Sequence, residues 1–384
     1  MDFSFSEDED LLQWAIKDFA DREVAPKTPD QLKASFRSIV RAMGQLGYLS
    51  FRVPDDYGGN SCNLDSLVLL AEGFARVSVP LAHFVATTYQ LTLSLARYGT
   101  EATKQTWLAP LLGGERLGAL AATESAAGVD FGAGLSQAER DGQGYAVTGT
   151  KAPVSFGLEA DVALTFAGGH AFVVPLDLPG IERSPWRGSG LALAAPAALT
   201  FRRVAVPSDA LLSREGDGAR IHREVGVGSD FRRVITALIA LGAAQTALKS
   251  AVRYGKERQA FGQPIGKFEG VSEKIAEDAT LVEAGRWLCY RALFLMDREK
   301  PAAKEAAMCG WWCPRVAYKT LQDTLLTHGH AGFSDDYPFE QMWRDIVGLE
   351  LISGTEAMLK LAISRELSGR AGVPDPVYPS LELP

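Results

Sequence analysis

The stretch 257–265 reads Glu-Arg-Gln-Ala-Phe-Gly-Gln-Pro-Ile and follows an alanine-rich segment, 231–258, in which apolar residues recur at helical spacing. Gly262 predicts that this helix ends in a turn. Arg258 carries a planar, permanently charged guanidinium, which suits a diphosphate group. Taken alone, the same arginine is better explained as a surface residue at a helix end, so a role at a diphosphate depends on evidence from the rest of the chain.

Composition excludes several classes of protein. The 384 residues carry a net charge of −8, with 47% hydrophobic and 22% charged residues. Such a chain can bury a large core, but it has no basic field for a nucleic-acid backbone. Residues 1–9 are acidic and lack the parts of a signal peptide, and no apolar run reaches the roughly 18–20 residues that cross a bilayer. We therefore predict a cytoplasmic protein that binds neither nucleic acid nor membrane.

The four cysteines are too few and too scattered for a disulfide framework. Cys309 and Cys313 are four residues apart on a predicted helix, but the nearest histidines come on a later segment. We predict that these two, with Cys62 and Cys289, are reduced and buried, and that the protein has no metal site.

The local pattern divides the chain into three parts. Residues 1–117 show helical spacing, 118–220 contain short apolar runs bounded by Gly, Asp and Pro, and 221–384 return to long helical segments. Short strands without intervening helices predict a small antiparallel barrel or sandwich, and long helices with short loops predict a bundle. The predicted fold class is α+β and mostly α.

Four segments resemble the acyl-CoA dehydrogenase family, and they come in the order of that family. They read Thr-Glu-Ser-Ala-Ala-Gly-Val-Asp at 123–130, Gly-Thr-Lys-Ala-Pro-Val-Ser-Phe-Gly at 149–157, the stretch 257–265, and His-Gly-His-Ala-Gly-Phe at 328–333. One such segment would be weak evidence, but four in order span most of the chain. The resemblance implies an N-terminal helical domain, a central antiparallel β-barrel or sandwich domain and a C-terminal four-helix bundle.

The resemblance also implies an FAD cofactor and the residues that hold it. The Thr123 position contacts the isoalloxazine in the family, and the Ser155 position hydrogen-bonds near flavin N5. Arg258 would reach the diphosphate of a flavin held mainly by a neighbouring subunit, with Phe261 against it. The full predicted set is Thr123, Ser155, Arg258, Phe261, Gly329, Gly332 and Thr355.

Subunits that share a flavin must assemble, so the resemblance implies a homo-oligomer, either a dimer or a tetramer. It further implies an acyl-CoA or acyl-carrier-protein thioester as substrate, and electron-transfer flavoprotein or another acceptor as partner.

The chain departs from the family pattern around the flavin. Pro153 replaces a tryptophan that packs on the flavin ring, and Phe156 replaces an asparagine. We expect Phe156 to restore part of the aromatic surface that is lost at Pro153.

The most consequential departure concerns the catalytic base. Removing the α-proton of an acyl thioester needs a nearby carboxylate. Family members place a glutamate before the Gly-Thr of the C-terminal helical segment or near the start of the first bundle helix, and those positions here are Ser353 and Arg232. Serine is a poor base without an activating partner, and arginine stays protonated.

Three explanations are open. Another group could serve as the base: Glu350, Glu356, Asp230 or His83. Glu350 and Glu356 lie three residues on either side of Ser353, so each could share its helical face. Alternatively, the substrate could need no strong base, because its α-proton is acidic or because the reaction runs as a reduction. Finally, the chain could be the inactive partner in a hetero-oligomer.

Arg232 suggests a substrate hypothesis of its own. A guanidinium in the acyl pocket would stabilise an enolate or bind a carboxylate, so the acyl group would be polar or anionic. The opposite arrangement has Arg232 pointing outward and Arg233 inward, or both in ion pairs.

The sequence thus predicts an FAD-dependent oxidoreductase of the acyl-CoA dehydrogenase type. It would catalyse the α,β-oxidation of an acyl thioester, or the reverse reduction, on a polar or carrier-protein-tethered acyl group. A catalytically silent partner subunit and a flavin monooxygenase on the same scaffold are the alternatives.

Overall fold

The structure is a computed structural model that describes residues 6–60, 64–127, 134–212, 218–225, 229–352 and 354–369. Helices occupy both ends of the chain and strands occupy the middle. The first helices are α1 (Glu7–Glu23), α2 (Pro29–Gln45), α3 (Leu64–Ala75), α4 (Val79–Tyr98) and α5 (Glu101–Leu112). The order of helices, strands and helices confirms the predicted fold class.

The first two helices begin where the sequence supplies caps. The Ser6 side chain accepts the N–H of Glu9, whose carboxylate accepts the N–H of Ser6 at 2.8 Å. Thr28 and Gln31 form the same capping box at the start of α2. Each box satisfies two backbone donors that a helix would otherwise leave unpaired.

Helix α4 lies inside the N-terminal domain and is buried over most of its length. Ser78 caps it by accepting the N–H of Leu81, and a proline follows in the first turn. Because the helix is surrounded, its polar side chains are buried as well as its apolar ones, and they need hydrogen-bonding partners. These side chains form one wall of the site described below.

The strands form two sheets and a short hairpin. The sheet strands are β1 (Gly118–Ala121), β2 (Gln137–Asp141), β3 (Gly144–Val154), β4 (Val162–Ala167), β5 (His170–Pro175), β6 (Ile181–Pro185) and β7 (Ala197–Pro207). The larger sheet has the order β2–β3–β7–β6 and is antiparallel, and the smaller has the order β1–β4–β5. In the smaller sheet β1 pairs with β4 in parallel, Gly118 opposite Val162, which differs from the wholly antiparallel domain that we expected.

Long helices form the C-terminal part of the protein. They are α6 (Gly218–Val225), α7 (Asp230–Glu257), α8 (Glu269–Asp297), α9 (Ala303–His328), α10 (Phe339–Ile352) and α11 (Glu356–Ser368), and the hairpin β8 (Gln259–Ala260) and β9 (Gln263–Pro264) lies between α7 and α8. Helix α6 spans the predicted boundary at 220/221, and the division into domains stays a prediction.

Helix α7 is the central helix of the bundle. It is long and apolar enough to cross a membrane, but 72% of its apolar window is buried inside the protein. Its buried face belongs to one continuous core with α1–α4, as shown by Phe74, Phe84, Leu238 and Leu241. A mostly buried apolar helix of this kind is a core helix, and α7 packs against α3 and α4.

Three cysteines also lie in this core. Cys289, Cys309 and Cys313 are buried and free, and the Sγ atoms of Cys289 and Cys313 are 3.8 Å apart. Their burial as free thiols agrees with the prediction, and Cys62 lies outside the described residues. Within the ranges described above, the structure places no group of three or more His, Cys, Asp or Glu side chains that could hold a metal ion.

Candidate active site

The first turn of α7 places Arg232 against α4. Ser229 caps the helix and accepts the N–H of Arg232 at 3.3 Å. The Arg232 side chain is 1% exposed and points inward. Its guanidinium donates to Nδ1 of His83 and to Oε1 of Gln90, both at 2.8 Å, and lies 3.5 Å from Oγ1 of Thr87.

His83 joins Arg232 to Ser155. Because arginine only donates hydrogen bonds, Nδ1 of His83 must accept, and the ring proton is therefore on Nε2. Nε2 donates to Oγ of Ser155 at 3.0 Å. Burial, together with the charge of Arg232, holds the pKa of His83 well below its ordinary value. The histidine is thus neutral, with both ring nitrogens engaged, and it has no free lone pair for use as a base.

Arg232 keeps its charge in this buried position. Burial lowers its pKa to about 10, so the guanidinium remains protonated at neutral pH. Among the residues that the structure describes, no carboxylate forms an ion pair with it, and its buried Nε has no hydrogen-bond partner. The neighbouring Arg233 instead pairs with Asp230 at 2.8 Å. The structure therefore favours the arrangement with Arg232 inward over the one with Arg233 inward.

A backbone hydrogen bond joins the segment after β1 to the end of β3. The backbone N–H of Ala152 donates to the carbonyl of Thr123 at 2.9 Å. Glu124, which follows Thr123, and Lys151, which precedes Ala152, form a buried ion pair of 2.6 Å. The resemblance names Thr123 and Ser155 as flavin contacts. The bond to Ala152 lies three residues before Ser155, and the contact of both residues with a flavin stays a prediction.

Glu124 is held by more than Lys151. Its carboxylate also accepts the N–H of Leu135 at 2.6 Å and that of Ser136 at 3.2 Å. Burial alone would raise the pKa of Glu124, but these bonds and the Lys151 charge hold it below its usual value. Burial lowers the pKa of Lys151, and the bond to Glu124 opposes that change. The pair therefore clamps the loop after β1 to strand β3.

Phe156 does not take over the role of the missing tryptophan. It is completely buried, stacks on Phe36 with ring centroids 5.8 Å apart, and meets Phe84 edge-on at 5.1 Å. Its N–H donates to the carbonyl of Ala194. The expectation of a replacement aromatic surface was wrong, because the ring points into the N-terminal core and anchors the backbone beside Ser155.

Asp345 of α10 holds the loop 191–194, whose Ala194 carbonyl accepts the hydrogen bond from the N–H of Phe156. Its Oδ1 accepts the N–H of Leu191 at 2.5 Å and Nε2 of Gln341 at 2.7 Å. Burial raises the pKa of Asp345 to about 6. The bundle, the loop 191–194 and the segment around Ser155 are thus linked in one chain of contacts.

The segment 257–265 forms a tight hairpin. Arg258 ends α7, and Phe261 and Gly262 form the tip of the hairpin with φ values of 50° and 79°. Phe261 is 97% exposed. The one intramolecular ring contact described for it is edge-on with Phe268 at 6.2 Å. An aromatic side chain at a hairpin tip is thus available to a ligand or a second subunit, and its role stays a prediction.

The remaining predicted flavin residues lie on the bundle. Gly329 ends α9 with φ 61° and ψ −136°, and space is open beside it. Packing alone explains why position 332 is a glycine, because a Cβ there would lie 2.5 Å from the carbonyl oxygen of Leu325. Thr355 is exposed and begins α11 without using its side chain as a cap. Their contact with a cofactor stays a prediction.

The region of the usual catalytic glutamate differs from the continuous helix that we expected. Ser353 lies outside the described residues. Gly354, with φ 108°, separates α10 from α11, so Glu350 and Glu356 do not share one helical face. Both approach Nε of Arg315 instead, at 3.5 and 3.2 Å. A bond from Lys360 and the charge of Arg315 hold the pKa of Glu356 below its usual value.

Sequence reasoning missed two members of the buried cluster. Thr87 and Gln90 lie four and seven residues after His83 on α4, a spacing that puts all three on one helical face. A row of polar side chains in an otherwise apolar helix was the available signal. The partners that this row meets come from β3 and α7, which no local pattern of α4 reveals.

Comparison with known proteins places this geometry in a family. The model of the acyl-CoA dehydrogenase N-terminal domain matches residues 6–115, and that of the C-terminal domain matches residues 227–368. The chain belongs to the acyl-CoA dehydrogenase family. It is therefore an FAD-dependent oxidoreductase, as the four sequence segments predicted.

Three similar proteins illustrate the relationship. YngJ, a probable acyl-CoA dehydrogenase from Bacillus subtilis, is 31% identical over 96% of this chain and 100% of its own length. Benzylmalonyl-CoA dehydrogenase from Aromatoleum aromaticum is 31% identical with the same coverage. A solved complex of glutaryl-CoA dehydrogenase with glutaryl-CoA has a TM-score of 0.89 and 30% identity, covering 96% of this chain and 97% of the other.

The residues present fit an FAD cofactor. The Ser155 hydroxyl accepts a hydrogen bond from His83, and its own proton is therefore available to a further acceptor. The carbonyl of Thr123 is bonded to Ala152, three residues before Ser155, and Phe261 offers an exposed aromatic ring on a separate hairpin. Ser155 and Thr123 would contact the polar edge of an isoalloxazine, and Phe261 would contact the flavin of a neighbouring subunit.

Proposed function

We propose that the enzyme oxidises the α,β-bond of an acyl thioester, or reduces it in the reverse direction, and that the acyl group carries an anionic substituent bound by Arg232. The observation that carries the proposal is a buried guanidinium without a carboxylate partner among the described residues. A buried charge is costly unless it is paired. A substrate carboxylate would supply the missing partner.

The guanidinium still has donors to offer. Its Nε–H has no partner within the described part of the chain, and the other nitrogens donate to His83, Gln90 and Thr87. Arginine binds a carboxylate best through two parallel N–H donors. The edge formed by Nε and a terminal nitrogen of Arg232 suits this geometry. Benzylmalonyl and glutaryl, the acyl groups in the names of two similar proteins, each have a second carboxyl group.

The chain's own residues suit binding and orientation better than proton abstraction. Bound FAD would supply a hydride acceptor for the β-carbon, or a hydride donor in the reductive direction. Arg232 would fix the acyl group and favour negative charge near the α-carbon, and Ser155 would donate a hydrogen bond. His83 cannot take the α-proton at neutral pH, since Nδ1 accepts from Arg232 and Nε2 carries the ring proton. The proposal therefore favours a substrate with an acidified α-proton, or the reductive direction.

A thioester panel tests the anionic substrate. Holoenzyme should turn over glutaryl-CoA or succinyl-CoA better than butyryl-CoA. In Arg232→Gln the ratio of kcat/KM for glutaryl-CoA to that for butyryl-CoA should fall about 10–100-fold, because a charge-assisted bidentate bond is lost. The ratio cancels any effect of the substitution on the cofactor itself.

The matched control is Arg233→Gln, which removes the neighbouring guanidinium from its pair with Asp230. It should leave that ratio unchanged within about twofold. An equal ratio in wild type and Arg232→Gln would contradict the anionic substrate. Failure of every thioester to bleach the flavin under anaerobic conditions would contradict thioester oxidation. Presenting the same acyl groups on coenzyme A and on a phosphopantetheinyl carrier protein identifies the carrier.

We also propose a cytoplasmic homo-oligomer, a dimer or tetramer, that passes electrons to electron-transfer flavoprotein or another acceptor. The support is Phe261, which is 97% exposed on its own chain, together with the exposed Leu326 and Phe333 near the end of α9. A large apolar side chain held at a hairpin tip is typical of a contact surface.

Phe261→Ala tests the shared-flavin arrangement. Because the ring is almost fully exposed, its removal should leave the stability of the isolated chain unchanged. The apparent Kd for FAD should nevertheless rise about tenfold, as for the loss of a buried aromatic contact. Leu11→Ala, which removes another exposed apolar side chain, is the control. Wild-type FAD affinity in Phe261→Ala, or a monomeric holoenzyme in sedimentation, would contradict the arrangement.

A further inference from the structure

Three side chains from distant parts of the sequence form one directed chain of hydrogen bonds. Arg232 of α7 donates to Nδ1 of His83 on α4, and Nε2 of His83 donates to Oγ of Ser155, just after β3. Arg232 and His83 are both 1% exposed, whereas Ser155 is partly exposed. The chain therefore runs from a buried positive charge to a hydroxyl at the accessible end.

The direction of this chain is fixed by the chemistry of its first member. Arginine has no acceptor, so His83 must accept at Nδ1 and donate at Nε2. Oγ of Ser155 then accepts from His83, and its single proton is directed to whatever is bound beside it. Hydrogen bonds in such a chain polarise one another, so the hydroxyl is a stronger donor than an isolated serine.

The charge at the buried end is not cancelled locally. Arg233 is paired with Asp230, but the described residues supply no carboxylate to Arg232. The charge therefore acts on groups around it through surroundings of low dielectric constant. Any group beside Ser155 that gains negative charge is stabilised both by the hydroxyl and by the guanidinium.

We propose that Arg232 and His83 are positioning residues that make Ser155 an obligate hydrogen-bond donor to the flavin, and that the relay stabilises FAD in its two-electron reduced form. The inference rests on the proposed function, since it takes Ser155 to lie beside the flavin. It assigns Arg232 a second effect, which is independent of the substrate carboxylate and is exerted when no thioester is present.

The relay predicts a change in the redox equilibrium of the holoenzyme without substrate. The ratio of reduced to oxidised flavin, read against a reference dye during anaerobic dithionite titration, should fall about tenfold in Arg232→Gln and in His83→Leu. Arg232→Lys keeps the charge, so its ratio of reduced to oxidised flavin should lie between those of Arg232→Gln and the wild type. His83→Gln keeps a donor towards Ser155, so its ratio should likewise lie between those of His83→Leu and the wild type. Arg233→Gln removes a paired charge and should stay within about twofold of wild type.

Folding and substrate binding are followed separately. Far-ultraviolet circular dichroism and the flavin content identify variants that are folded and loaded, and Arg232→Lys and Arg232→Gln provide two variants at the same position. An unchanged ratio in loaded Arg232→Gln and His83→Leu would overturn the relay. If Arg232→Gln loses its preference for glutaryl-CoA but keeps the wild-type redox ratio, the relay is wrong and the anionic substrate stands. The reverse result supports the relay and contradicts the anionic substrate.

Discussion

Replacing Glu124 with alanine is expected to destabilise the enzyme by about 3–5 kcal/mol, since it leaves a buried ammonium without its partner. The side chains of Lys151 and Glu124 are 3% and 7% exposed in a pair of 2.6 Å. Lys151 also approaches the carbonyl of Ala122 at 3.4 Å, a long and weak bond that cannot replace a carboxylate. The free energy of unfolding of the loaded enzyme, measured with urea, tests the size of the effect.

The single substitution Lys151→Met should lower the free energy of unfolding less than Glu124→Ala does. In Lys151→Met, Glu124 keeps the N–H groups of Leu135 and Ser136 as donors. The double variant Glu124→Gln with Lys151→Met removes both charges, and we expect it to recover more than half of the loss in Glu124→Ala. If the double variant is as unstable as Glu124→Ala, an unpaired buried charge is not the cause.

The substitution Glu124→Ala should also weaken flavin binding. Glu124 fixes the loop that follows Thr123 against β3, where Ala152 is bonded to the Thr123 carbonyl. A loop released from this clamp would lose its alignment with Ser155. We therefore expect Glu124→Ala to release FAD during gel filtration under conditions in which the double variant retains it.

Replacing Glu72 with alanine is expected to cost about 3 kcal/mol of stability through a second buried pair. Glu72, 2% exposed, lies on α3 and accepts from Arg286 of α8 at 3.0 and 3.4 Å and from the Tyr290 hydroxyl at 3.2 Å. Burial and the Glu72 charge raise the pKa of Tyr290. The cluster joins the N-terminal helices to the bundle. Alanine would leave the Tyr290 hydroxyl without its acceptor, and Arg286 would keep only the more exposed Glu283 as a carboxylate partner.

An exposed ion pair provides the matched control. Glu182 and Arg202 on neighbouring strands are 60% and 66% exposed, with a shortest distance of 2.8 Å. Glu182→Ala should leave the unfolding midpoint in urea unchanged, because water replaces the lost contact. Equal destabilisation by Glu72→Ala and Glu182→Ala would show that burial does not determine the cost.

Helix starts, the family and its cofactor could be predicted from local sequence patterns. Capping residues such as Ser6 and Glu9 act within a few residues of one another, so the sequence displays them directly. The segments 123–130, 149–157, 257–265 and 328–333 indicated the family and its cofactor because their chemistry is contained in short runs. The absence of glutamate at position 232 was equally visible, since it requires only the order of residues.

Other features could not be predicted from the sequence, because they depend on how a local element packs in the folded protein. Gly354 breaks the helix that would have put Glu350 and Glu356 on one face. Phe156 was expected at the flavin, but its aromatic character does not say which way the ring points. The fold directs it into the core against Phe36.

Short sequence motifs were thus enough to indicate the family, the succession of helices and strands, and the presence of Arg232 where a carboxylate is usual. The inward direction of this arginine and its connection to Ser155 through His83 follow only from the packed fold. In the sequence, Ser155 lies 72 positions after His83, and Arg232 lies 149 positions after His83. The packing of α4, β3 and α7 brings them together, and with them the direction of every proton in the relay.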